Sequence, residues 1–441
     1  MQRHLMTAFV SLCATLLVSE GAFAATFFVA TNGNDNAAGT SAAPWATLQT
    51  AVNRIAPGDT IMVRSGTYAG FRATTSGTQT APKTLMAVTG ATVIVNRPGP
   101  NNAHNSDVEI ETFVGNPPRV TDWRVIGIEM RNAPRYGFDA RNTQRVQVER
   151  CRAQNNTLSG FFTAFSDDFS ITNSVTNNNG EHGIYLSNSG MRPSVVRNDA
   201  RDNQGSGIQL NADLSQGAPG MIRFFLIDSN TVSGNGAQGG AALNFDGASD
   251  GLIVNNLLFN NHASGIALFA IDGAEGSSRN LVVNNTVVMA ANARNVVTIP
   301  ASPAGRPNPT GNVLINNIFW SPDRPAISLY TANPAGFQSN FNAFNLNPRF
   351  SINNGATTIS LAQWRALAPT LHDQSSVTAT TANLFVNPGA NNFHLRTTPQ
   401  PVSPAINAGT NRTGVPNDDI EGTPRPQRGP LWDIGAFEAR P

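Results

Sequence analysis

An all-β solenoid is the fold this sequence predicts, and three observations carry it. The 441-residue chain is rich in turn residues, with 39 glycines, 28 prolines and repeated Asn-Asn pairs among 40% hydrophobic residues. A short motif recurs along it at intervals of 22 to 32 residues. Inside each copy the apolar residues alternate with period two, the strand period, and not with the 3.6 of a helical repeat.

The composition also excludes function classes. The hydrophobic fraction rules out wholesale disorder, and a formal net charge of +1 with 13% charged residues argues against binding nucleic acid by gross electrostatics. A single lysine, Lys83, stands among the 29 basic residues, so almost every cation is an arginine.

Arg3 and His4 precede the apolar stretch from Leu5 to Val18, and Ala22-Phe23-Ala24 closes it with small residues around a bulky one. Residues 1–24 read as a signal peptide, giving a secreted or periplasmic protein. No later stretch has the length of a transmembrane helix, so no membrane insertion is expected. Cys13 lies in the leader, which leaves Cys151 as the only mature cysteine and no intrachain disulfide.

Next comes a helix from Thr47 to Ile55. Leu48, Ala51, Val52 and Ile55 share one face, and Pro57-Gly58 stops it. An open solenoid end exposes unpaired strand edges, so this helix is expected to cap the N-terminal coil.

The repeat follows. Its copies read Val195-Val196-Arg197-Asn198, Asn203 and Gly207-Ile208-Gln209-Leu210, then Ile227 through Asn230, Asn235 and Gly240 to Leu243, then Ile253 through Asn256, Asn261 and Gly265 to Leu268. Aligning the first asparagine gives Asn173, Asn198, Asn230, Asn256, Asn285 and Asn317, with Ile128 and Cys151 in the same slot earlier. Asparagines stacked at one bend can bond to each other and to the turn backbone up the stack, which reconciles their polarity with burial. Cys151 in that slot reads as core, not as a nucleophile. The solenoid with its cap is expected over residues 25–345, and less regular coils and a cap over 346–441.

Several segments resemble the pectate-lyase-like class of right-handed parallel β-helix proteins. They are Phe28-Val29-Ala30-Thr31-Asn32-Gly33-Asn34-Asp35, Pro44-Trp45-Ala46-Thr47, Pro57-Gly58-Asp59-Thr60-Ile61 and Gly66-Thr67-Tyr68 near the start. Ser403-Pro404-Ala405-Ile406-Asn407-Ala408-Gly409 and Asp433-Ile434-Gly435-Ala436-Phe437-Glu438 are similar to the usual ending. The resemblance implies a right-handed parallel β-helix and a carbohydrate ligand, often a uronic-acid polymer. Several lyases of the class bind calcium. The class includes lyases, epimerases, glycosidases and members with no known activity, so fold alone does not choose among them.

In that architecture the substrate groove runs along one strand face, here that of the glycine-led strands. With Ile184, Leu186, Ile208, Leu210 and Leu243 pointing in, the outward column is Asp139 and Arg141, Phe162, Tyr185 and Ser187, Gln209 and Asn211, and Asn244. A lyase or C5-epimerase must neutralise the uronate carboxylate, remove the C5 proton and supply a proton elsewhere. Lys83 lies far upstream, which leaves an arginine base or a His182 and Tyr185 pair, with Arg201 also facing out. Asp139, Arg141, Gln209, Asn211 and Asn244 are candidate substrate contacts. Asp213 and Asp246, expected at matched positions beyond two strands, could ligate calcium or act as a glycosidase carboxylate pair. Residues 119–152 hold eight arginines against four acids, a locally basic start that suits an anionic polysaccharide. Three readings follow: a lyase or C5-epimerase on a uronic-acid polymer, a non-catalytic carbohydrate-binding or cell-surface protein, and a glycoside hydrolase.

Overall fold

The computed structural model describes residues 24–112, 118–399 and 401–440. The signal-peptide reading therefore falls, except for Ala24, outside the described residues. Each coil gives one short strand to each of three 12-stranded sheets. In one coil these are Ile184–Asn188 in what we term the groove sheet, Ser194–Val196 in the side sheet and Asp199–Arg201 in the back sheet, before Ile208–Ala212 returns to the groove sheet. Within the three sheets pairing is parallel, except that Arg349–Ile352 pairs antiparallel with Thr357–Ser360. This is the predicted parallel β-helix.

Strand alternation fills its interior. Ile184, Ile208, Leu210 and Leu243 are fully buried and Leu186 nearly so, and with Phe138 and Phe161 they join one continuous core cluster. The helix forms at Leu48–Arg54, with the Thr47 side chain accepting from the Thr50 backbone N–H at its N-terminus. Leu48, Ala51, Val52 and Ile55 are buried, and the helix packs on strands Thr26–Val29 and Phe71–Ala73 as a cap.

Two asparagine ladders, not one, brace the coils. In the first, each backbone N–H donates to the side-chain oxygen one coil on: Asn198 to Asn230 (2.9 Å), Asn230 to Asn256 (3.0 Å), Asn256 to Asn285 (3.0 Å) and Asn285 to Asn317 (3.0 Å). The second runs through Asn156, Asn179, Asn203, Asn235 and Asn261. The register of one slot is corrected. Ser174, not Asn173, continues the first ladder: its Oγ accepts from Cys151 N–H and its N–H donates to Asn198 Oδ1. Asn173 takes the preceding position, where the bend needs a left-handed backbone (φ +50°), as Asn255, Asn284 and Asn316 do in later coils. Cys151 is buried and free, and burial pushes its thiol up to about 11, as expected of core.

At the far end, helix Leu361–Leu367 closes the last coil. Its Trp364 is fully buried and stacked on Phe350 at 4.7 Å. The final segment does something the sequence did not suggest. It runs back along the side of the solenoid, where Ile434, Ala436 and Phe437 cluster with Leu257, Val288 and Ile318 of the back sheet. A fully buried Arg425–Glu438 ion pair (2.9 Å) holds it.

Candidate functional site

The groove sheet lines up the outward residues of successive coils by strict register. One column reads Glu109, Asp139, Phe162, Tyr185, Gln209 and Asn244, and its neighbour Glu111, Arg141, Ala164, Ser187, Asn211 and Asp246. At ~4.8 Å per coil, side chains in a column touch.

The aromatic members form a continuous tract. Tyr136, just before strand Phe138–Arg141, stacks on Phe162 with centroids 4.3 Å apart and planes at 4°. Phe162 meets the edge of Tyr185 at 5.3 Å, and Tyr185 meets His182 at 5.0 Å. Two guanidinium groups flank the tract: Arg141 lies 4.8 Å over Phe162 and Arg135 lies 5.0 Å over Tyr136. Arg141 is locked in a two-point pair with the buried Asp139 (2.8 and 3.1 Å). Arg135 has no carboxylate within ion-pair distance among the described residues, although Glu181 is close enough for its carboxyl to feel that charge.

Protonation states follow from these contacts. The Ser206 backbone N–H donates to Nδ1 of His182 (2.9 Å), so the neutral ring carries its proton on Nε2. Burial lowers His182 to about 4, which makes it a neutral hydrogen-bond donor at pH 7. Burial raises the Tyr185 phenol, and a hydrogen bond with Ser187 opposes that shift.

Residues 27–180 match the family described as "Pel9A-like, right handed beta helix region". "Pectate lyase PEL9" of Emericella nidulans (strain FGSC A4) is 34% identical over 145 residues, which cover 31% of this chain and 35% of that relative. The chain thus matches about a third of that relative's length. The crystal structure of pectate lyase Pel9A superposes with a TM-score of 0.60 at 17% identity, covering 95% of this chain and 97% of that one. A rhamnogalacturonan lyase structure gives 0.50 at 14% identity, over 72% and 87%. The fold is the right-handed parallel β-helix of the pectate-lyase-like proteins. At these identities the two solved structures speak for fold alone.

On this β-helix the residues singled out from sequence separate into distinct groups. His182 and Tyr185 meet, and Gln209, Asn211 and Asn244 continue the same face as an amide network, with Asn244 Nδ2 donating to Gln209 Oε1 (2.6 Å) and Gln209 Nε2 to Asn211 Oδ1 (3.3 Å). Arg201 does not join them. It projects from the back sheet, paired with Asp199 of its own strand (2.8 Å). Asp139 is 1% exposed, with its carboxylate engaged by Arg141 and Ser106, so it positions Arg141 and does not face a ligand.

The expected match of Asp213 with Asp246 is corrected. Asp246 lies opposite Asn211, two residues before Asp213. Its carboxylate accepts three backbone N–H groups, from Ile271, Asp272 and Gly273, while Asp213 caps the turn at Leu214–Gln216. Both carboxylates hold loops. Among the described residues no group of three or more His, Cys, Asp or Glu is placed to hold a metal ion.

The basic stretch is largely neutralised too. Arg119, Arg131, Arg141, Arg145 and Arg150 each pair with a carboxylate. Lys83 is buried with its Nζ on Thr75 (2.7 Å) and near the Trp123 ring, remote from the groove column. Sequence reasoning passed over Tyr136 and counted Arg135 only within the arginine-rich stretch. The signal was present: Tyr136, Ser159 and His182 recur at intervals of 23, so Tyr136 shares the His182 column.

Proposed function

We propose that the groove sheet binds a uronic-acid polymer along the Tyr136, Phe162 and Tyr185 tract and that proton abstraction at C5 takes place beside Tyr185. The observation that carries this is the tract itself, an aromatic platform with a cation, Arg135, that has no ion pair among the described residues, at one end. Ring faces suit the apolar face of a pyranose, and a guanidinium suits a carboxylate. The match to pectate lyase PEL9 over 145 residues supports the same chemistry.

The local groups assign the roles. Arg141 is no base, because its pair with Asp139 holds it charged. His182 is no base while Nδ1 accepts from Ser206. Tyr185 remains. As phenolate it takes the C5 proton, the C5–H electron pair forms the C4=C5 bond, the C4–O4 bond breaks, and the new phenol returns that proton to O4. The His182 Nε2–H steadies oxygen charge beside it, and Arg135 neutralises the uronate carboxylate so that C5 becomes acidic. Return of the proton to the opposite face of C5 would give epimerisation.

Elimination leaves an unsaturated uronide that absorbs in the ultraviolet. Purified protein should raise absorbance with pectate, alginate or a glycosaminoglycan, with or without calcium, and Tyr185→Phe should abolish the rise. A flat trace with all of them rejects elimination on these polymers. The second reading, carbohydrate binding without catalysis, rests on the engaged Nδ1 of His182, which leaves the face without a free imidazole base.

A further inference from the structure

A left-handed position, inside side-sheet strands Val120–Ile126 and Thr143–Glu149 and just before Ser170–Thr172 and Ser194–Val196, carries an alternating charge ladder. Asp122, Arg145, Asp168 and Arg192 occupy equivalent left-handed positions (φ +62°, +53°, +51° and +55°) in four successive coils. Arg145 grips Asp122 through Nε and Nη2 (2.7 and 3.0 Å), and Arg192 grips Asp168 the same way (2.7 and 2.9 Å). These side-on pairs fix both guanidinium groups and leave the Nη1 of each without a partner among the described residues.

Beside the ladder, on the outer face of the side sheet, Arg124 and Gln147 sit in register. Arg124 is exposed and has no ion pair or hydrogen bond from its side chain among the described residues. Together these six residues line a cleft of about 470 Å³. It lies on a different sheet from Tyr185. Its lining has three guanidinium groups against two carboxylates, and those carboxylates already accept from arginine. The surplus is of donors, so a ligand must bring acceptor oxygens and negative charge. Four coils at ~4.8 Å spacing make the ladder roughly 15 Å long, which suits an oligosaccharide better than a small ion.

We propose that this cleft is a second saccharide-binding site, specific for a short uronate-bearing oligosaccharide whose carboxylate pairs with Arg124. Hydroxyl groups of the ligand bond to Gln147 and to the free edges of the Arg145 and Arg192 pairs. The site stands independently of the reaction proposed beside Tyr185.

Calorimetric titration with trigalacturonate tests it, in a Tyr185→Phe background so that no turnover intervenes. Arg124→Gln, a change at an exposed position, should weaken one class of binding about tenfold or more, the size of a lost charge-assisted contact. Neutral galactotriose should not occupy that class, and elimination by the Arg124→Gln protein with Tyr185 intact should match wild type. Superimposable titrations with and without Arg124→Gln would overturn the proposal, as would galactotriose filling the Arg124-dependent class. Binding that depends on Arg124 in a protein without elimination activity would sustain this site while removing the reaction.

Discussion

The Ser206 backbone N–H donates to His182 Nδ1 across one coil, and this bond fixes which way the imidazole can act. The donor belongs to the turn that leads into strand Ile208–Ala212, so the tautomer is set by coil stacking. Burial holds His182 at about 4 in the folded protein against an ordinary 6.5. Between those values the unfolded chain binds a proton that the folded chain refuses. Stability contributed at His182 is therefore complete above pH 6.5 and falls away as pH drops toward 4. Denaturant melts at pH 4.5 and 7.5 should differ less for His182→Gln than for wild type. An equal difference would show that the ring titrates normally.

Asp107 gives the opposite slope. It is fully buried, and burial pushes its carboxyl up to about 8 from 3.8. The folded state keeps a proton that the unfolded state loses, so this site lowers stability as pH rises from about 4 to 8. Asp107→Asn should raise the melting temperature at pH 8 and leave it nearly unchanged at pH 4. Melting curves at the two values decide it.

The corrected ladder register predicts a contrast between neighbours. Asn173→Gly keeps the left-handed bend and should cost no more than about 0.5 kcal/mol. Ser174→Ala strips the Cys151 N–H of its acceptor and should cost about 1–3 kcal/mol. Asn256→Ala should cost roughly 3 kcal/mol or more, because Asn256 accepts from Asn230 N–H and donates to the Ile227 and Val254 carbonyls. Urea denaturation of the three variants measures this ranking.

Gly435 pins the returning C-terminal segment. Its φ is +103°, and a Cβ there would stand 2.7 Å from Ile318 Cδ1 and 2.8 Å from Thr286 Oγ1. Gly435→Ala should lift the segment from the back sheet and expose it to limited proteolysis while the coils stay protected. A digestion pattern identical to wild type would show that the segment is held elsewhere.

The raised Tyr185 phenol sets an expected pH profile. If phenolate is the base, the elimination rate should climb through the alkaline range with no plateau at neutral pH. A rate that levels off near pH 7 would point to another base. Arg135→Gln should raise KM for polygalacturonate far more than it lowers kcat, provided the guanidinium mainly holds the carboxylate.

Local patterning in the sequence specifies the solenoid, its capping helix, the face that each strand turns outward and the burial of Cys151. These follow from local rules, because period-two alternation and an asparagine slot repeat in every coil and each coil packs only on its neighbours. It also placed His182 and Tyr185 on one face, three residues apart around a strand start. The remaining features depend on how the coils stack. Loop lengths between strands vary, so the offset of Asp213 from Asp246 and the slip from Asn173 to Ser174 depend on where each bend takes its left-handed residue. Arg201 turned to another sheet because the intervening bend rotates the chain. Arg119 and Arg145 lost their free charge to Asp167 and Asp122, which are distant in sequence, and the imidazole lost its free nitrogen to a backbone N–H of the next coil. Such pairings join residues that are remote along the chain and adjacent in the stack, and that adjacency exists only once the coils are wound.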